Sequence, residues 1–464
     1  MEKDKDFLGT EPIGKLLLRL AIPTLAAQLI NMLYNVVDRI YIGHIPKVGA
    51  LALTGVGVCM PLIMIVSAFA VLVGNGGAPR ASIYMGQNNK EDAEKTLGNC
   101  FAAQILVAIV LTIVLLFGNR TFLLAFGASE NTISYAAAYM NIYAVGTIFV
   151  QLTLGLNAFI TAQGFAKTGM LSVLIGAVIN IVLDPIFIFG LHMGVRGAAV
   201  ATIISQFCSA VWVLRFLCGK KAVLNLKKSA MKISWKRVAD IVSLGMSGFF
   251  MAFTNSLVQV VCNATLQTWG GDIYVGVMTV LNSVRDIFTM PVHGLTTGAS
   301  PVMSFNYGEK AYDRIKKAIK FITVVCIVYT MAGWGILKVM PEFFIRIFNS
   351  DPELLEKGVP ALHIYFFGFC FMALQFTGQS VFVALGKAKK ATFFSLFRKA
   401  IIVVPLTILL PYMRGLGTDG VFWAEPISNL VGGCACFFTM LATVLPELNG
   451  KPGTGEKQTN RQKI

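Results

Sequence analysis

Ionisable side chains are scarce in this sequence. They make up 13% of its 464 residues, against roughly 25% in an ordinary soluble protein. Acids are the scarcer sign, with 23 Asp and Glu beside 39 Lys and Arg, and there are four histidines. A surface that must face water on all sides cannot be built from so few charges, so a soluble fold is excluded. The short signatures of soluble chemistry are missing too: no G-x-x-x-x-G-K-[ST] phosphate loop, no H-E-x-x-H and no C-x-x-C. His44, His192, His293 and His363 are scattered, which removes histidine catalysis, and no enzyme is expected. Most of the nine cysteines stand singly inside apolar stretches, as small buried hydrophobes do. Cys434 and Cys436 have no His or second Cys pair near them, and no metal or cofactor is expected.

What is present is hydrocarbon. Hydrophobic residues make up 56% of the chain, and the mean hydropathy is +0.70. They gather in about twelve nearly charge-free blocks, each close to the ~20 residues a helix needs to cross a bilayer core of ~30 Å. The spans are expected near 15–42, 51–77, 97–117, 136–161, 170–190 and 197–217, then near 241–267, 274–298, 319–339, 358–384, 393–412 and 419–445. The formal charge of +16 would suggest nucleic acid in a soluble protein. Here the cations crowd into alternate loops: Lys220, Lys221, Lys227, Lys228, Lys232, Lys236 and Arg237, then Lys310, Arg314, Lys316, Lys317 and Lys320, then Lys387, Lys389 and Lys390. That is the positive-inside pattern, which makes the bilayer the partner instead of nucleic acid and puts both termini in the cytoplasm.

The chain reads as a duplicated half. At an offset of about 222 residues, Pro79 and Gly86 fall on Pro301 and Gly308, and Gly164, Ala166 and Lys167 fall on Gly386, Ala388 and Lys389. At an offset one larger, Gly194, Gly197 and Ala201 fall on Gly417, Gly420 and Ala424. The expected organisation is an N-lobe of six spans over 1–218, a basic cytoplasmic linker over 219–240, a C-lobe of six spans over 241–446 and a disordered tail over 447–464. An even number of spans per half gives both halves the same orientation, a parallel-repeat transporter architecture.

A charge at the bilayer centre costs ~2.5 to 3.5 kcal/mol on insertion scales, so acids inside spans are few and usually functional. Four sit well inside: Asp38, Asp184, Asp286 and Glu425. Asn180 precedes Asp184 by one helical turn, so the two share a face, and Pro185 disturbs the carbonyl of Ile181. Together these offer oxygen ligands suited to a hard cation or a shared proton. Asn31, Tyr34 and Asn35 extend a polar stripe from Asp38 along the first span. The repeat supplies a control: Asp38 meets Cys262, Asp184 meets Thr407 and Asn180 meets Val403. The second copy folds without these acids, so they are not there for the fold. Glu425 lies opposite Thr202 in the repeat, and Arg285 beside Asp286 is a candidate counter-charge for it, in a buried ion pair or a proton-handling group.

These residues resemble a known family. Asn35-x-x-Asp38-x-x-Tyr41-Ile42-Gly43, Pro79-Arg80 to Gly86, Asn180-Ile181-x-x-Asp184-Pro185 and Gly194-Val195-x-Gly197-Ala198-Ala199-x-Ala201-Thr202 are similar to the multidrug and toxic compound extrusion (MATE) family, and most of all to its MepA/DinF-like bacterial members. In the second half Pro301, Asn306-Tyr307-Gly308 and Gly420-Val421-x-Trp423-Ala424 fit the same pattern. The resemblance implies an all-α integral membrane fold of twelve transmembrane helices in two pseudo-symmetric six-helix lobes around a central cavity. It implies a monomeric antiporter of the bacterial cytoplasmic membrane that exports cationic lipophilic drugs in exchange for Na+ or H+. It places the coupling cation at Asp38, Asn180, Asp184 and Thr202, and makes Pro23 a place where the first span bends. The acids that some members carry on the seventh and tenth spans are absent, with Gln259, Gln375 and Gln379 there instead. Substrate contacts are expected from Asn31, Met32, Tyr34, Asn35, Met60, Met64, Asn157, Gln163 and Met290, since methionine repacks easily around varied ligands. The competing reading is a flippase for lipid-linked saccharides, which would line its cavity with cations; apart from Arg285 and Arg398 few occur within the spans.

Overall fold

In lipid, backbone N–H and C=O groups must bond within their own segment, so apolar runs of this length become helices. A computed structural model of the protein describes residues 7–126, 128–348, 351–413 and 415–450. After a short helix at Phe7–Thr10, twelve long helical segments follow among the described residues, with short helices at Lys228–Met231 and Pro341–Arg346 between them: α1 (Ile13–Gly43), α2 (Gly49–Gly86), α3 (Lys90–Ala125), α4 (Ile133–Ala162), α5 (Ala166–Pro185, continued by a π-helical turn at Ile186–Gly190) and α6 (Val195–Leu217). Then come α7 (Trp235–Gly271), α8 (272–308), α9 (Tyr312–Val339), and α10, a pair Pro352–Tyr365 and Cys370–Ala384 bent by 52°. The last are α11 (Ala388–Tyr412) and α12 (Thr418–Leu448). Each expected span lies inside one of these segments, and the helices overrun the apolar cores because hydrogen bonding continues past the hydrocarbon. Ten of them are long and apolar enough to cross a membrane, and α10 makes an eleventh. α8 is not among these; it follows α7 across Gly271, whose φ of 71° breaks the helix. α1 runs unbroken through Pro23. The linker is shorter than expected, since α7 begins at Trp235. Of the expected tail, 447–448 belong to α12, and 451–464 lie outside the described residues.

The chain forms two compact units. Unit 1 takes residues up to Ala252, with His293–Glu309 and Val383–Thr392; unit 2 takes Phe253–Val292, Lys310–Phe382 and the residues from Phe393 on. Unit 1 closes over Ile42, Val56, Leu115, Met140 and Ala198. Unit 2 closes over Leu266, Leu281, Ile345, Leu362 and Phe422. Large apolar side chains remain exposed along the helices, Phe117 at 90% among them, as they do where lipid is the solvent.

The duplication is written into the backbone. Gly164 and Gly386 take φ of 88° and 71°, and Gly194 and Gly417 take φ of 56° and 51° at the starts of α6 and α12. Within unit 1, Ser82 donates to the carbonyl of Ala162 at 3.0 Å and its counterpart Ser304 to that of Ala384 at 2.8 Å. Gly86 and Gly308 each meet the opposite helix of this repeat reciprocally: a Cβ at Gly86 would sit 1.9 Å from the carbonyl oxygen of Phe305, and one at Gly308 would sit 2.0 Å from that of Ile83. No side chain fits either place, which is why both copies keep glycine.

Candidate functional site

In unit 1, α1 packs against α5 and α5 against α6. This brings together the four residues expected to hold a cation. Asn180 and Asp184 are 0% exposed, and Asp38 and Thr202 are buried with them. Asn180 Nδ2 donates to Asp184 Oδ1 at 3.3 Å, as their one-turn spacing predicts. The Asp38 and Asp184 carboxyls lie side by side, within hydrogen-bonding reach of each other. Neither acid forms a salt bridge among the described residues. Arg39, next in sequence to Asp38, turns outward to Met60 Sδ at 3.5 Å. Three buried oxygens are left without a donor: Asp38 Oδ1, Asn180 Oδ1 and Asp184 Oδ2. An orphaned acceptor costs ~1 to 3 kcal/mol and more when charged, and two adjacent carboxylates in a low-dielectric interior also repel. A proton or a small hard cation relieves both penalties, and the all-oxygen donor set fits either. The π-helical turn after Pro185 lets the chain leave α5 directly beyond the acid.

Tyr34 and Tyr139 border the carboxyls, and Tyr143 packs behind them. Tyr34 comes from α1, and Tyr139 and Tyr143 from α4, the latter two stacked with centroids 6.2 Å apart and Tyr139 beside Thr202. Sequence reasoning missed Tyr139 and Tyr143. Their i, i+4 spacing inside an apolar span was the available signal.

The residues expected at a substrate surface divide. Asn31 and Met32 are exposed on α1, with Tyr34 and Asn35 half-buried beside them; Asn35 Nδ2 donates to the carbonyl of Asn31 at 2.6 Å. On α2, Met64 is exposed and Met60 half-buried. Met290 is half-buried on α8 in unit 2. Two amides have partners within the protein. Asn157 Nδ2 donates to the carbonyl of Gly169 at 3.3 Å, tying α4 to α5. Gln163 is buried, and its Oε1 accepts from the backbone N–H groups of Val223 and Leu224, each at 2.8 Å. It fastens the connecting segment; only the fold could reveal that, because its partners lie about 60 residues away.

Unit 2 holds the repeated positions with different chemistry. Cys262 Sγ and Thr407 Oγ1, the counterparts of Asp38 and Asp184, are in contact at 3.7 Å. The same helix faces therefore meet in both copies, and only the first copy puts carboxyls there. Glu425 has other partners than the sequence suggested. Arg398 Nη1 reaches its Oε1 at 3.0 Å and Lys399 Nζ touches both oxygens at 2.9 Å, while Arg398 also donates to Asn429 at 2.6 Å. Arg285 instead donates to Tyr365 at 3.0 Å and to Asp286 Oδ1 at 3.0 and 3.3 Å. Asp286 is not a buried charge: its side chain is 68% exposed. Lys399 went unnoticed because adjacent residues on an α-helix point about 100° apart. The π-helical turn Phe397–Val403 begins here, and the two cations converge on one carboxylate. Gln375 and Gln379 donate to the carbonyl of Phe394 and to Ser395 Oγ, which holds α10 to α11.

The family model MatE matches residues 23–186 and 248–409. Among characterised relatives, the multidrug export protein MepA of Staphylococcus haemolyticus is 24% identical over 424 residues, covering 90% of this chain and 91% of that protein. MepA of Staphylococcus aureus strain MSSA476 is 22% identical, covering 91% and 92%. Among solved structures, a MATE protein in the bent conformation matches with a TM-score of 0.90 at 22% identity, covering 97% of this chain and 98% of that one.

Proposed function

The chain belongs to the MatE family of membrane transporters, and on that premise we propose that it exports cationic lipophilic drugs in exchange for Na+ or H+. The coupling cation enters unit 1 at Asp38, Asn180, Asp184 and Thr202. The observation that carries this reading is the trio of buried, unbonded oxygens on Asp38, Asn180 and Asp184. The relatives named for multidrug export supply the substrate class.

The mechanism follows from the charges. With no cation present, the two carboxylates repel across the contact of α1 and α5, which weakens it. A cation or proton between them turns repulsion into attraction and draws α1 onto α5. Asn31, Met32, Tyr34 and Asn35 ride on α1 and shift with it, which couples ion entry to release of a bound drug. Met60 and Met64 on α2 supply adaptable apolar contact for varied substrates. Each positive charge moving down a 100 mV potential contributes ~2.3 kcal/mol to export. The setting is the bacterial cytoplasmic membrane, with the basic loops and both termini in the cytoplasm and the transporter acting as a monomer.

The test is ethidium efflux from vesicles driven by a sodium jump or by a pH jump, in wild type and in Asp184→Asn. One of the two jumps drives efflux in wild type and neither does in the variant. The variant's thermal stability is equal or higher, because one of two facing carboxylates has gone. Normal coupled efflux by Asp184→Asn would refute the site.

A further inference from the structure

The segment joining α6 to α7 is short, basic and rigidly fastened. Gln163 holds the backbone of Val223 and Leu224. Glu94 pairs with Lys227 and accepts from the backbone N–H of Asn225. Asn99 donates to the carbonyls of Ala230 and Lys232 and accepts from Ser234 N–H at 2.7 Å. Arg237 closes the segment onto the start of α3, reaching Asp92 Oδ1 at 2.8 Å and Thr96 Oγ1 at 3.1 Å. These bonds consume the neighbouring acids Glu94 and Asp92. Lys220, Lys221, Lys228, Lys232 and Lys236 stay exposed and have no acidic partner among the described residues. Between the last of them stand Ile233 and Trp235, both exposed, Trp235 at 70%.

We propose that this segment is a preformed binding surface for the headgroups of anionic phospholipids in the adjoining leaflet. Its place follows from the chain: α6 ends at Leu217, α7 starts at Trp235 and α3 at Lys90, so the segment cannot leave the membrane surface. Its charge complements phosphate-bearing lipid. An exposed indole among lysines at the mouth of a span suits the boundary between headgroup and acyl chain, where Trp is enriched. A nucleic acid or soluble anion would make no use of the exposed Ile233 and Trp235. The positive-inside bias asks only for cations near a span. Fixing their backbone with Gln163, Glu94, Asn99 and Arg237 gives them the lasting geometry that a lipid-selective surface requires.

The test uses the full-length protein in nanodiscs of phosphatidylcholine and phosphatidylglycerol in equal parts, brominated on one lipid or the other. Quenching assigned to Trp235, read as the difference between wild type and Trp235→Phe, is expected to be about twofold greater with brominated phosphatidylglycerol. Replacing the five lysines with Gln removes the preference and leaves quenching by both lipids equal. If that variant fails to fold, Lys232→Gln with Lys236→Gln alone reduces the preference. Equal quenching in wild type, or a preference that survives loss of the lysines, overturns the proposal. Neither readout depends on drug transport.

Discussion

Glu425→Gln perturbs a buried electrostatic cluster in unit 2. The wild-type cluster holds two cations on one carboxylate, with side-chain exposures of 10% for Arg398, 4% for Lys399 and 7% for Glu425. Removing the carboxylate charge leaves two positive groups facing a neutral amide, whose oxygen can still accept from them but whose NH2 group, in place of Oε2, can accept from neither. Breaking a buried pair in this way costs ~3 to 5 kcal/mol. Lys399→Met makes the informative contrast. It leaves Arg398 on Glu425 Oε1 and deprives Oε2 of its donor, a loss of ~1 to 3 kcal/mol, while removing the surplus positive charge. Glu425→Gln should therefore be the more damaging by about 2 kcal/mol, although both changes delete one charge. The assay is thermal unfolding in detergent, followed by monodispersity, with wild type and both variants in parallel. In the double variant the two costs are not additive, because the residues share a hydrogen-bond network. If Lys399→Met proves as destabilising as Glu425→Gln, or more so, the reasoning from charge balance is wrong.

Two further outcomes follow from packing. Gln163→Ala removes two hydrogen bonds from the backbone of the connecting segment, at ~1 kcal/mol each; hydrogen exchange at Val223 and Leu224 should accelerate, with little change in the rest of unit 1. Gly86→Ala drives a Cβ to within 1.9 Å of the Phe305 carbonyl oxygen, so the helices must part. A marked fall in yield of folded protein is expected, and a normal melting curve would show that the close approach is not needed.

Much of the architecture was readable from residues alone. The spans, the duplication and the acids without counterparts in the second copy all depend on local composition and on register at a fixed offset. Asn180 with Asp184 is legible for the same reason, since residues four apart share a helix face. The gathering of Asp38 and Thr202 with that pair was implied by family resemblance, not by spacing. Gln163 shows where such reading stops: in sequence it is one more polar residue at the end of a span, and its Oε1 accepts from a segment far along the chain. Glu425 shows the same limit with charge. Arg285 sits within the spans as a plausible partner, yet the carboxylate is taken by Arg398 and Lys399.

The sequence by itself determined that the chain lives in lipid, that it is helical and that it is built twice. Hydrocarbon cannot hydrogen-bond the backbone, and apolar runs of this length have no other stable form there. Only the tertiary structure decided which buried charges are neutralised and which have no ion pair among the described residues. That depends on how each helix is rotated about its axis and on a π-helical turn that swings Arg398 and Lys399 toward α12. A rotation of one residue, about 100°, exchanges an ion pair for an orphaned charge, and no local pattern records it.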